Sequence, residues 1–215
     1  MSSRWSIPRD PDGPRDDRLD TVSERPAPVP LVNLPNALTV LRLILVPVFL
    51  LTLFAQGGHD PTWRWIAFVI FALAALTDRY DGHIARKRGQ ITDFGKIADP
   101  IADKALTGSA LVALSMLGDL AWWITLVILV REIGVTLLRF AVIRYGVIAA
   151  SPGGKAKTLL QIFAIGLYLM PLPGALDWVR VAIMAAALLL TVGTGVDYLI
   201  RAAALVGRAR SRPLS

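Results

Sequence analysis

The chain has 215 residues, 54% hydrophobic and 18% charged, with a mean hydropathy of +0.55, a formal net charge of +7 and no cysteine. It is too apolar for a soluble domain, in which about a quarter of the residues carry charge, and the missing cysteines exclude disulfides and thiol chemistry. The cations lie mostly at the ends of apolar segments, which points to anionic head groups and membrane topology and away from nucleic acid.

In chain order, residues 1–32 come first, with Pro8, Pro11, Pro14, Pro26, Pro28 and Pro30 among nearly balanced charges. This composition predicts a disordered tail, and it lacks the basic start, short apolar stretch and small-residue cleavage site of a secretory signal. Six apolar spans follow at about 36–55, 63–84, 97–118, 121–144, 156–173 and 177–204, several of them near the ~20 residues that cross a bilayer. The pattern predicts an all-α integral membrane protein of six transmembrane helices, its membrane domain covering 33–206 and a basic tail covering 207–215. Spans two and three are expected to be interrupted at their facing ends by aspartates.

Loop charge predicts the orientation. The connection between spans two and three carries Arg79, Arg86, Lys87, Arg88 and Lys96, that between four and five carries Arg144, Lys155 and Lys157, and the tail carries Arg208, Arg210 and Arg212. The other loops are poor in cations. Both termini and these two loops are therefore expected on the cytoplasmic side. Trp63, Trp65, Trp122, Trp123 and Trp178 flank spans on the opposite side, as an aromatic belt would.

Four carboxylates stand out. Asp78, Asp81, Gly82 and Ala85 are spaced i, i+3, i+4, i+7, and Gly95, Asp99 and Asp103 are spaced i, i+4, i+8, each set on one face of a helix. A short turn near 87–93 would bring the two helix ends together. Charges of one sign at membrane depth are costly and need compensation, and the economical compensation for four anions is bound cations. Hard oxygen donors without His or Cys favour Mg²⁺ or Mn²⁺ over zinc, and a pair of such ions can orient a phosphoryl displacement. Gly82 and Ala85 leave room on the same face for a ligand. The competing structural reading makes these aspartates helix caps and partners of Arg79, Arg86 and Lys104.

These residues carry a resemblance. The pattern D-x-x-D-G-x-x-A-R, eight residues, G-x-x-x-D-x-x-x-D is the signature of the CDP-alcohol phosphatidyltransferase family, and Asp78, Asp81, Gly82, Ala85, Arg86, Gly95, Asp99 and Asp103 match it at every spacing. The resemblance implies a six-helix, usually dimeric membrane fold with a divalent-metal site open to the cytoplasm. It makes Asp78, Asp81 and Asp99 metal ligands, Asp103 the general base and a further ligand, and Gly82, Ala85 and Arg86 the lining of the CDP site. The segment Asn33–Arg42, the Arg131-Glu132-Ile133 run with Arg139, and Gly154-Lys155-Ala156-Lys157-Thr158 with Gln161 are similar to the branch of the family whose acceptor is sn-glycerol 3-phosphate. The likeness runs from about 33 to 200.

Arg131, Glu132 and Arg139 fall inside span four, and ions there should face the bundle interior or a wet cavity. Lys155 and Lys157 open span five on the same side. Arg131, Arg139, Lys155 and Lys157 could together hold a phosphate, the arginines by forked contacts; Arg131 and Glu132 could instead pair with each other or between helices, and Arg144, Lys155 and Lys157 could simply serve orientation. Gly153-Gly154-Lys155 is not a nucleotide loop, because Ala156 stands where Ser or Thr is needed and no strand precedes it. Arg42 could reach the site or extend to the interface. Asp197 and Arg201 are spaced for an intrahelical ion pair.

The expected activity is transfer of the phosphatidyl group from CDP-diacylglycerol to sn-glycerol 3-phosphate at a two-ion Mg²⁺ or Mn²⁺ site, by a homodimer in the bacterial cytoplasmic membrane. The alternatives are the same chemistry with inositol phosphate or phosphatidylglycerol as acceptor, and a cation transporter, which would place its acids near mid-bilayer on broken helices.

Overall fold

The computed structural model describes residues 34–88, 93–142 and 152–210; for 34–35, 78–88, 93–100, 152, 155 and 208–210 it describes the course of the helix but not the side chain. Among the described residues all regular structure is helical: α1 (Leu34–Phe54), α2 (Pro61–Arg88), α3 (Asp93–Met116), α4 (Trp122–Val142), α5 (Pro152–Leu169) and α6 (Asp177–Arg210), with short 3₁₀ turns at Ala55–Gly58 and Gly174–Leu176. The expected tail over 1–32 lies outside the described residues, as do 211–215.

Two helical stretches, Asn36–Gly58 and Gly174–Gly207, are long and apolar enough to cross a membrane, and Pro61–Thr77 and Ala156–Leu169 are shorter apolar helices. The outward surface is apolar as well: Leu51 is 75% exposed and Leu189 73%. A surface this rich in large apolar side chains is unlike that of a soluble monomer.

The helix ends follow local chemistry. Asp60 caps α2 by accepting a hydrogen bond from the Trp63 amide at 3.1 Å, satisfying one of the orphan donors of the first turn. Gly118 closes α3 at φ 80°, with the Asp119 amide donating to the Leu114 carbonyl at 3.0 Å, as a helix-stopping glycine does. At Gly58 the backbone has φ +81°, and an added Cβ would meet Leu117 Cδ2 at 2.3 Å, so only glycine fits that turn.

One expectation is sharpened here and one corrected. The aspartates interrupt the apolar runs but not the helices: α2 runs on to Arg88 and α3 starts at Asp93, because backbone hydrogen bonding continues where hydropathy ends. The fifth helix ends at Leu169, four residues early, since Pro171 and Pro173 cannot continue it.

The core is built from Phe49 and Leu53 of α1, Phe71 of α2, Leu106, Leu111 and Leu114 of α3, Ile128 of α4, Ile165 and Leu169 of α5, and Met184 of α6. Phe49 and Phe71 pack with ring centroids 5.7 Å apart. Ala67, Ala74, Ala110, Ala164 and Ala187 are fully buried between them, and small residues let helices without aqueous driving force pack closely. α1 lies against α2 and α3, α6 against α4 and α5, and α5 also touches α2 and α3. Elements α3, α4 and α5 thus surround a common interior volume. Asn36, Thr39 and Arg42 form a buried polar face on α1. Arg42 is fully enclosed, so its extension to the membrane interface is overturned: a guanidinium without solvent access is directed into the bundle.

Candidate functional site

Asp78, Asp81, Gly82, Ala85 and Arg86 all ride on the last turns of α2, and Asp99 and Asp103 on the first half of α3. The two helices touch, and four residues, 89–92, separate them in the chain. The helical course holds through both aspartate segments, so each set keeps the one-face spacing read from the sequence. Of these residues only Asp103 has a described side chain; those of Asp78, Asp81, Gly82, Ala85, Arg86, Gly95 and Asp99 lie outside the described residues. Among the described residues alone, no three His, Asp or Glu side chains gather as metal ligands.

Asp103 is half-buried and borders a polar hollow of about 260 Å³, open space included, whose other walls are Lys104, Thr107, Glu132, Lys157, Thr158 and Gln161. Its position follows from α3: the Thr107 hydroxyl donates to the Asp103 carbonyl at 2.9 Å, and Ala102 and Leu106 on either side are buried in the bundle. The hollow therefore opens between α3, α4 and α5, with Asp103 as its link to the aspartate segments.

Beside the hollow lies a charge cluster, of which Lys104, Glu132 and Lys157 line it and Arg131 stands behind Glu132. The Glu132 carboxylate accepts hydrogen bonds from Lys157 Nζ on α5 and, at 2.8 Å, from Arg131 Nη1 on α4. Lys104 Nζ on α3 stands 3.8 Å from its other oxygen. Arg131 Nη2 also donates to Thr194 Oγ1 on α6 at 2.7 Å. Lys157 is 4% exposed, a depth at which an ammonium needs a partner. Three cations thus share one carboxylate. Such a cluster is complementary to an added anion, and its guanidinium and ammonium groups suit phosphate oxygens.

Arg131 and Lys157 are brought together, and the mutual and interhelical pairings weighed for Arg131 and Glu132 both occur. Arg139 is not part of this contact set: eight residues further along α4, roughly 12 Å by helical rise, its guanidinium lies over the Tyr198 ring at 5.9 Å. The Lys155 side chain lies outside the described residues. Asp197 and Arg201 form the expected intrahelical pair at 2.9 Å. The five flanking tryptophans are all exposed.

Sequence reading missed Lys104, Thr107 and Thr158 as walls of the hollow. For Lys104 a signal existed: it is an ammonium next to Asp103 inside an apolar span, where a charge should face the interior. Thr107 gave none, since a threonine in an apolar helix ordinarily bonds its own backbone, as it does here; Thr158 stands in the run that carries the resemblance, which gave it no role of its own.

The CDP-alcohol phosphatidyltransferase pattern matches residues 32–193. A Mycobacterium tuberculosis protein named "Probable phosphatidylglycerophosphate synthase" is 59% identical over 180 residues, covering 84% of this chain and 86% of the relative. A Rickettsia bellii protein named CDP-diacylglycerol–glycerol-3-phosphate 3-phosphatidyltransferase is 39% identical over 172 residues, 77% of this chain and 93% of the relative. A Bacillus subtilis protein of the same name is 37% identical over 150 residues, 65% and 78% of the two chains.

Proposed function

The chain belongs to the CDP-alcohol phosphatidyltransferase family, and from that premise we propose that it joins CDP-diacylglycerol to sn-glycerol 3-phosphate, giving phosphatidylglycerol phosphate and CMP. The observation that carries the choice of acceptor is the cluster of Lys104, Arg131 and Lys157 on one carboxylate, beside the hollow that Asp103 borders. A small phosphorylated acceptor needs a cationic pocket, whereas phosphatidylglycerol needs a second lipid entrance. The names borne by the relatives agree with that acceptor.

The donor set fits a hard cation, because the aspartates offer only carboxylate oxygens on facing segments of consecutive helices. Asp78, Asp81, Asp99 and Asp103 would hold two Mg²⁺ or Mn²⁺ ions, which when bound supply neutralisation of pyrophosphate charge. Gly82, Ala85 and Arg86 line the CDP side, the two small residues admitting the nucleotide close to α2. Arg131 and Lys157 hold the acceptor phosphate and aim its primary hydroxyl at the donor, and Arg139 and Lys155 add positive charge to the acceptor side. Asp103 removes the hydroxyl proton as the new P–O bond forms, and the P–O bond to CMP breaks. Positioning and electrostatics then supply most of the rate, as in phosphoryl transfer generally. Six membrane crossings, a homodimer and a site facing the cytoplasm of a bacterial cell complete this reading. The basic 2–3 and 4–5 connections support the orientation.

The test is CMP release from CDP-diacylglycerol by the purified protein with Mg²⁺, offered glycerol 3-phosphate, inositol phosphate and phosphatidylglycerol in parallel. Release with glycerol 3-phosphate alone is expected. Release with another acceptor instead would retain the aspartate chemistry and overturn the acceptor assignment; metal uptake into vesicles without CMP release would favour transport.

A further inference from the structure

α6 carries none of the family's aspartates, yet it touches the charge cluster at one place, where Thr194 and Gly195 receive the Arg131 side chain. The Thr194 hydroxyl has a single hydrogen. It donates that hydrogen within its own helix, to the Leu190 carbonyl at 2.6 Å, with the Thr191 carbonyl 3.2 Å away. What it presents to α4 is therefore a lone pair, and Arg131 Nη2 donates to it at 2.7 Å. The other terminal nitrogen, Nη1, donates to Glu132 at 2.8 Å. Two acceptors on two helices fix the plane of the guanidinium.

Gly195 sets its depth. A Cβ on Gly195 would lie 3.1 Å from Arg131 Cγ and 3.3 Å from Nε, so a side chain there crowds the arginine stem and shifts it slightly away from α6. Arg131 Nε is buried and has no hydrogen-bond partner. An orphaned N–H on a charged group is costly, and here it results from laying the stem flat on the bare α6 backbone. One turn on, Tyr198 of the same helix lies beneath the Arg139 guanidinium at 5.9 Å.

We propose that Thr194 and Gly195 are positioning residues for the acceptor: α6 holds Arg131 in the orientation that receives the acceptor's phosphate. The proposal rests on the assignment of Arg131 to that phosphate under the proposed function.

The experiment compares Thr194→Val, Thr194→Ser, Gly195→Ala and Arg131→Gln in steady-state CMP release, varying glycerol 3-phosphate and CDP-diacylglycerol separately. Valine keeps threonine's shape and removes the acceptor. It should raise the KM for glycerol 3-phosphate about tenfold, the worth of one hydrogen bond to a charged group, and leave kcat and the KM for CDP-diacylglycerol within about twofold. Serine should restore wild-type values, and Gly195→Ala should shift the same KM in the same direction. Thr194→Val added to Arg131→Gln should cost nothing further, since both act through one contact. If both KM values move together, or serine fails to rescue, Thr194 only packs α6 and the proposal falls. If Arg131→Gln raises the acceptor KM while the α6 variants do not, positioning is refuted and the acceptor assignment stands. If Arg131→Gln leaves the acceptor KM unchanged, the assignment itself fails and the proposal with it. Should Thr194→Val not fold, as judged by a monodisperse peak in detergent, the Gly195→Ala and Thr194→Ser pair decides the matter by the same KM split.

Discussion

Two polar clusters are built into this apolar bundle, roughly 16 Å apart along α5 from Lys157 to Tyr168 by helical rise. In the one near the α5–α6 turn, charges are matched one to one. Arg64 pairs with Asp119 and also donates to the Tyr168 carbonyl at 3.3 Å, while Arg180 pairs with Asp177 at 2.9 Å and lies 5.3 Å over the Tyr168 ring. In the other, Lys104, Arg131 and Lys157 converge on Glu132 alone. The first cluster leaves no local surplus of charge and ties helices together. The second borders a hollow and keeps cations in excess of its carboxylate, as the proposed acceptor site requires and a clasp does not.

The largest effect expected from breaking this contrast is at Asp103, the residue joining the hollow to the aspartate segments. Asp103→Asn should lower kcat by about two to four orders of magnitude, the usual worth of a positioned base, with the helical circular dichroism spectrum unchanged. Turnover near that of the unaltered protein would remove Asp103 from the chemistry.

Next is the matched cluster. Asp119→Asn leaves Arg64 buried without its counter-ion and should destabilise the fold by about 3 kcal/mol, seen as a lower melting temperature in detergent. Added inorganic phosphate should not restore it, and activity per folded molecule should be retained. Glu132→Gln should cost somewhat less, about 2 kcal/mol, because Glu132 is partly solvated. Here phosphate should raise the melting temperature by mass action on a site relieved of its competing carboxylate. Equal responses of the two variants to phosphate would erase the distinction between clasp and site. The smallest effect is expected at Arg139→Ala, outside the contact set: a rise of a few fold in the acceptor KM, with that for CDP-diacylglycerol unaltered. A shift in both would move Arg139 from the acceptor side.

Much of the architecture was legible before any coordinates. Hydropathy located the six long helices found among the described residues, of which two are long and apolar enough to cross a membrane. Helix ends were less legible: α2 and α3 continue through their charged segments, and α5 stops before its prolines. The aspartate spacing was readable because four carboxylates at helical intervals beside apolar runs have few inexpensive explanations.

The sequence by itself determined the class of chain, the family signature and the residues that face one another along a single helix, since periodicity and charge placement are local properties. Only the tertiary structure decided that Glu132 gathers cations from three helices, that Arg42 is enclosed, that Arg139 stacks on Tyr198 apart from Arg131, and that Thr194 and Gly195 lie against the Arg131 side chain. Those facts depend on how helices dozens of residues apart in the chain are rotated and pressed together. Single hydroxyls and absent side chains leave no periodic mark in a sequence, but at an interhelical contact they decide where a guanidinium can lie.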